Sequence, residues 1–231
     1  MITVATWNVL HRVHAENWDE SFAVRWPDER ARIAGVTAFL AARTEQVVAL
    51  QEVSGDQLAS LRAALPGRTV HTFRYPRVPG VRKGRDRLSD RAEHLVLLVD
   101  GPSTPVTAEA FADDRGKGVL AVDVAGTLVL ATHVSGDRRR TGQLARLAAL
   151  SGPTTVLLGD FNAAPDVVTA ALGDGFAAAD FPPGSEKTRP GSSREFIDLV
   201  VTRGMTATSA SVVGSGGLSD HNLVHASVER H

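Results

Sequence analysis

Two hydrophobic periods alternate along the chain. Near the start, "ITVATWN" sets β-branched residues on alternate positions, the period of a half-buried strand, and the short apolar run "VVAL" reads as a second strand ending at Gln51 and Glu52. Between them "DERARIAGVTAFLAAR" places Ile33, Val36, Phe39 and Leu40 at helical spacing behind Pro27 and an acidic first turn, so the opening reads β-α-β. "DQLASLRAAL" predicts another helix, closed by Pro66 and Gly67. From 69 to 133 the texture changes to successive strands, "TVHTFRY", "HLVLLVD", "VTAEAF", "GVLAVDV" and "TLVLATH", whose short connections imply antiparallel neighbours. A helix over "GQLARLAAL", the strand "TVLLGD", a shorter helix near "DVVTAAL" and strands in "FIDLVV", "ATSASVV" and "LVHASV" follow. This mixture of crossovers and hairpins predicts an α/β fold of two mixed β-sheets packed face to face with helices outside.

Composition narrows the chemistry. With 231 residues and 43% hydrophobic content the chain can bury a sizeable core, and a single domain spanning 1–231 is expected. The 25 Lys+Arg against 26 Asp+Glu leave a formal charge of -1, so any polyanion must be gripped locally. Zero cysteine excludes disulfides, thiolate zinc sites and cysteine nucleophiles, and leaves oxygen and imidazole as metal ligands. No run approaches a membrane span and "MITVATWNVL" has no basic leader, so the expectation is a cytoplasmic protein with no membrane partner, monomeric by default. The stretch 74–91, "RYPRVPGVRKGRDRLSDR", carries seven Arg or Lys against two Asp. It reads as a loop, either solvated or able to hold a phosphodiester chain.

The strand ends carry the candidate chemistry. In "TVLLGDFNAAP" a buried strand breaks into Asp160 and Asn162, where a helix cap is the ordinary explanation for the carboxylate. Other strands end the same way: the first at Asn8, the second at Glu52, "TLVLATH" at His133, while Asp220 and His221 precede the last, and Asp198 interrupts "FIDLVV". Taken singly, Asn8 suits a turn and His133 a satisfied core histidine; an ionised Asp198 inside a strand needs a partner. If these ends share one rim, Glu52, Asp160, Asp198 and Asp220 bring carboxylates together, and two such charges about 5 Å apart repel by roughly 3 kcal/mol at an effective dielectric near 20. These motifs supply imidazoles but no lysine, so a hard divalent ion, magnesium or else manganese, is the expected compensation. His11 and His14 lack a third ligand and are assigned no metal. Trp7, Trp18 and Trp26 are expected to be core or loop anchors rather than base-stacking platforms. No Gly-x-Ser-x-Gly elbow or His-Glu-x-x-His is present, and "RGKGV" lacks the upstream glycine and the Ser/Thr of a P-loop.

The ordered set "TWNVL", "LQEV", "ATHV", "GDFNAAP", "IDLVV" and "LSDHNLV", spread from residue 6 to 224, resembles the endonuclease/exonuclease/phosphatase superfamily. The resemblance implies magnesium-dependent phosphoester hydrolysis on a DNase I-like four-layer α/β sandwich. It implies that Glu52, with Asn8 and Asp220, holds the metal, that Asp160 orients or deprotonates the attacking water and that Asn162 holds this water or a phosphate oxygen. It further implies that His221, its ring fixed by Asp198, contacts the scissile phosphate, with His133 as a second phosphate-facing histidine and Arg115 as a looser match to a phosphate-contacting arginine. The opening is most similar to the deadenylase-like branch, whereas the abasic-site endonucleases carry an Asp where this chain has Leu10. The expected substrate is therefore nucleic acid or a nucleotide-like phosphodiester; a small or lipid-derived phosphomonoester and a non-catalytic phosphate-binding module are the alternatives.

Overall fold

The computed structural model describes residues 1–18, 20–83, 87–191 and 196–230. In its first half the chain forms β1 (Ile2–Asn8), α1 (Arg12–Trp18), α2 (Glu20–Arg25), α3 (Glu29–Ala41), β2 (Val47–Ser54), α4 (Gly55–Ala64), β3 (Thr69–Arg74), β4 (Glu93–Val99) and β5 (Thr104–Phe111). There follow β6 (Asp114–Val124), β7 (Thr127–His133), α5 (Arg140–Leu150), β8 (Thr155–Asp160), α6 (Pro165–Leu172), β9 (Phe176–Ala178), β10 (Asp198–Arg203), β11 (Met205–Val213) and β12 (Leu223–Arg230).

The strands make two six-stranded sheets, in the orders β11-β12-β1-β2-β4-β3 and β5-β6-β7-β8-β10-β9. Both are mixed: β1 with β2 and β7 with β8 are parallel pairs, and the remaining neighbours are antiparallel. Each parallel pair needs a crossover, which α3 and α5 supply. Inward residues such as Val4, Leu97, Leu120 and Leu158 pack between the sheets. On the outer faces Val36, Leu40 and Leu61 of α3 and α4 cover the first sheet, and Leu144, Leu147 and Val168 of α5 and α6 cover the second. The two packed mixed sheets with outer helices that the pattern predicts are what forms, as the four-layer α/β sandwich that the resemblance implies.

Three departures bear on the site. The segment after β1 holds two short helices that the hydrophobic pattern does not indicate, a seven-residue α1 and a six-residue α2. Too short to persist alone, they depend on packing: Arg12 and Glu16 make a buried ion pair at 2.8 Å, and Phe22 packs with Leu10 and Ala15. Strand β6 starts earlier than "GVLAVDV" suggests, so Lys117 lies within it. The basic segment 74–91 begins inside β3 at Arg74 and then runs without regular structure; its residues Gly84, Arg85 and Asp86 lie outside the described residues. No helix among the described residues is long and apolar enough to cross a membrane.

Candidate active site

Strand register brings the polar ends together. The parallel pairs place the ends of β1 and β2, and of β7 and β8, side by side, with Asn8 opposite Gln51 and His133 opposite Asp160. β10 runs antiparallel to β8, so its first residue, Asp198, pairs with the last of β8, Asp160. β12 runs antiparallel to β1, and its start, just after Asp220 and His221, meets the end of β1. One cleft of about 730 Å³ is lined by Asn8, Glu52, His133, Asp160, Asn162, Asp220 and His221. Asp198 sits behind it, fully buried, with Oδ2 2.8 Å from His221 Nδ1.

The backbone is strained where the chain turns into this cleft. Leu10, Glu52 and Asn162 line it at φ values of 57°, 59° and 50°. This left-handed region costs roughly 1–2 kcal/mol for a residue with a Cβ and persists only where surrounding contacts impose it. At Glu52 the β2–β4 register shifts between Leu50 and Val53, a bulge that turns the carboxylate toward the cleft. At Asn162 the backbone N–H donates to Asp160 Oδ1 at 2.9 Å and the carboxamide donates to Val134 O at 3.0 Å.

Hydrogen bonds fix the remaining groups across long sequence separations. Asn8 Nδ2 donates to Asp160 Oδ2 at 3.1 Å, linking the two sheets, while Asn8 Oδ1 accepts from Leu10 N at 3.0 Å. The segment bearing His221 is tied to β1 twice: Trp7 Nε1 donates to His221 O at 2.9 Å and Ser219 Oγ donates to Asn8 O at 2.7 Å. Buried Arg32 on α3 donates to the carbonyls of Val9, Leu10 and Leu218 and so holds both segments against the helix. Glu52 Oε2 accepts from His11 N at 3.1 Å.

The charges divide into two groups. Burial alone would raise Asp160, but hydrogen bonding and charge from His133, together with His221 and Lys117, outweigh it and hold the carboxyl well below the usual range. Burial also works against ionised Glu52, and the charges of His14, His133 and Lys117 again prevail, holding it low. The pair behind the cleft behaves in the opposite way. Burial pushes Asp198 up to about 6 against the pull of His221, and His221 itself is raised to about 10 because Asp198, Asp220 and Asp160 overcome its own desolvation. The two titrate as a unit; with the proton on the ring at neutral pH, the imidazolium Nε2 faces the cleft 4.0 Å from Asp160 Oδ2.

The endonuclease/exonuclease/phosphatase family profile matches residues 5–221. The chain belongs to this family. Solved structures agree on the fold. The D. rerio protein TDP2, complexed with single strand DNA product, gives a TM-score of 0.69 at 16% identity over 99% of this chain and 98% of that one. The endonuclease/exonuclease/phosphatase from Bacteroides vulgatus gives 0.72 at 18% identity over 100% and 99%. The human Nocturnin catalytic domain with bound sulfate anion gives 0.70 at 17% identity over 99% and 94%. Among curated proteins, none matches the sequence. Family members are generally hydrolases of phosphoester bonds and generally depend on a divalent metal.

The family's metal requirement fits the residues of this cleft. Glu52 and Asp160 offer ionised oxygen donors, and Asp220 Oδ1 is buried with no hydrogen-bond partner. Such a set suits a hard divalent cation. Ligand atoms of Asp160, Asp198 and His221 also lie within 4.8 Å of one another, but the Asp198–His221 hydrogen bond already engages two of these three residues. Glu52 Oε2 and both Asp160 oxygens already accept hydrogen bonds that a bound cation would have to share, whereas Asp220 Oδ1 accepts none.

Two sequence expectations need correction. Arg115 is exposed and does not line the cleft, and its carbonyl accepts from Arg77 N at 3.1 Å. Lys117, two residues along β6, lines the cleft and contacts His133 Nε2. The site therefore does hold a lysine. Burial lowers the Lys117 ammonium below its usual range, with Glu52 and Asp160 opposing that shift. Arg189, 3.0 Å from Asp220 Oδ2, and Arg77 are further lining cations that the motifs did not indicate. A basic residue flanked by glycines within a strand, as in "RGKGV", was the available signal for Lys117.

Proposed function

We propose that the protein is a divalent-metal-dependent phosphodiesterase acting on nucleic acid or a nucleotide-like diester by in-line attack of water. The observation that carries this reading is the meeting of Glu52, Asp160, Asn162, His133 and His221 in one cleft, with Asp198 behind His221. Glu52 is the principal metal ligand, helped by Asn8 and Asp220, and magnesium is the expected ion, with manganese able to substitute. The ion, when bound, supplies neutralisation of charge on the phosphate oxygens.

The remaining roles follow from the side chains. Asp160, fixed by Asn8 and the Asn162 N–H, orients the attacking water; its low basicity suits it to this better than to holding a proton in the ground state. Asn162 holds that water or a phosphate oxygen. His221, cationic and oriented by Asp198, stabilises the negative charge that builds on the phosphate in the transition state. Lys117, in contact with His133, supplies a second cation on the cleft wall, the role first assigned to Arg115. The binding of single strand DNA product by TDP2 supports a diester substrate.

A substrate panel on the purified protein tests the reading. Hydrolysis of bis(para-nitrophenyl) phosphate and of single-stranded oligonucleotides, abolished by EDTA and restored by magnesium, is expected. Hydrolysis confined to phosphomonoesters overturns the diester assignment.

A further inference from the structure

Beside the cleft lies a second hollow of about 310 Å³, and the two share His14, Trp18 and Arg77. Its walls are α1 and the basic segment after β3. The three tryptophans of the chain meet different fates. Trp7 is fully buried, and half-buried Trp26 donates to Gly217 O at 2.7 Å, as anchors should. Trp18 is 73% exposed, which leaves a flat apolar ring at the mouth of a polar cleft.

The basic segment is pinned over that ring. Asn17, buried next to Trp18, donates to Gly80 O at 2.9 Å and accepts from Arg82 N at 2.9 Å and Lys83 N at 3.2 Å. One carboxamide thus fixes three backbone groups and sets the Arg82 guanidinium 5.3 Å from the Trp18 ring centroid. Arg77 is placed with equal care: its N–H bonds Arg115 O, and its guanidinium lies against Gly116, where any Cβ would come within 2.2 Å of it. Lys117 in the cleft, Arg77 on the shared wall and Arg82 on Trp18 form a cationic track from the cleft to an open indole. An exposed cation–π pair contributes only about 0.5–1 kcal/mol, and covering Trp18 would not by itself require the clamp on the backbone of residues 80–83.

A row of fixed cations beside an exposed aromatic ring is an arrangement that binds single-stranded nucleic acid, with phosphates on the cations and an unstacked base on the ring. We infer that Trp18, Arg82 and Arg77 form a nucleotide subsite, in which a base of single-stranded nucleic acid near the scissile phosphate stacks on Trp18 while the two arginines take a neighbouring phosphate. The inference rests on the phosphodiesterase reading and deepens it: the substrate class is single-stranded, because a base paired within a duplex cannot present its face to the indole. It reverses the expectation that Trp18 is merely an anchor.

Binding separates this subsite from catalysis. A fluorescein-labelled oligothymidylate, titrated by fluorescence anisotropy in EDTA, reports affinity without turnover. Trp18→Ala weakens binding by about tenfold, and Trp18→Phe, which keeps a ring, by less than about threefold. Being exposed, the position tolerates both changes. In hydrolysis, Trp18→Ala raises KM for the oligonucleotide about tenfold more than KM for bis(para-nitrophenyl) phosphate. Wild-type affinity in Trp18→Ala, or equal losses in the Ala and Phe variants, overturns the stacking subsite. Trp18-dependent binding by a wild-type protein that hydrolyses no diester would uphold the subsite while refuting the phosphodiesterase reading.

Discussion

His221 Nδ1 lies 2.8 Å from Asp198 Oδ2; both side chains are buried, His221 in the cleft wall and Asp198 behind it. The carboxylate fixes the ring and keeps its proton, with Nε2 left to face the cleft. In the metal-free protein His221 should stay protonated up to about pH 10, whereas Asp198→Asn removes the largest of the charges that raise it and shifts its titration to lower pH. The folded value lies above the unfolded one, so this group's contribution to stability is fully present below pH 6.5 and is lost as pH rises toward about 10. Histidine ring NMR across this range checks it; a wild-type ring that titrates at 6.5 contradicts the pairing.

Lys117 should matter for stability as well as turnover. Its half-buried ammonium sits in the field of Glu52, Asp160, Glu93 and Asp114, and these carboxylates lose a compensating cation when it is removed. Lys117→Met is therefore expected to unfold more easily in EDTA, with part of the loss recovered when magnesium is added. Urea denaturation with and without the ion measures both effects. Equal losses in both conditions would separate Lys117 from the cation site.

The strain at Asn162 reverses the usual order of two substitutions. Gly accepts a φ of 50° without penalty and Ala does not, so Asn162→Gly should be more stable than Asn162→Ala by about 1 kcal/mol, although both lose the carboxamide. Thermal unfolding compares them directly, and an alanine variant more stable than the glycine variant contradicts imposed strain.

Glu52, Asp160 and His221 could be read from the sequence because a polar residue that ends or interrupts a buried strand is costly without a partner. Their convergence could not be read so directly, since it depends on the β8–β10 and β1–β12 registers between segments far apart in the chain. Lys117 and Arg115 are two residues apart in one strand and so share a face; only the packing of Arg77 against Gly116 and the lie of the cleft distinguish them. The helices α1 and α2 are too short to leave a clear periodic signature, and with them went the exposure of Trp18. The strained φ of Glu52 has no sequence signal, because glutamate is not a residue that favours left-handed backbone.

The central claim is that the carboxylate of Asp160, held between Asn8 and Asn162, directs water onto a phosphodiester in this cleft. Steady-state hydrolysis of bis(para-nitrophenyl) phosphate by Asp160→Asn, at saturating magnesium and with folding verified by circular dichroism, tests it most directly. The account predicts a fall in kcat of about 10²–10⁴-fold. A folded variant that retains kcat within about threefold of wild type, far inside that range, would contradict it.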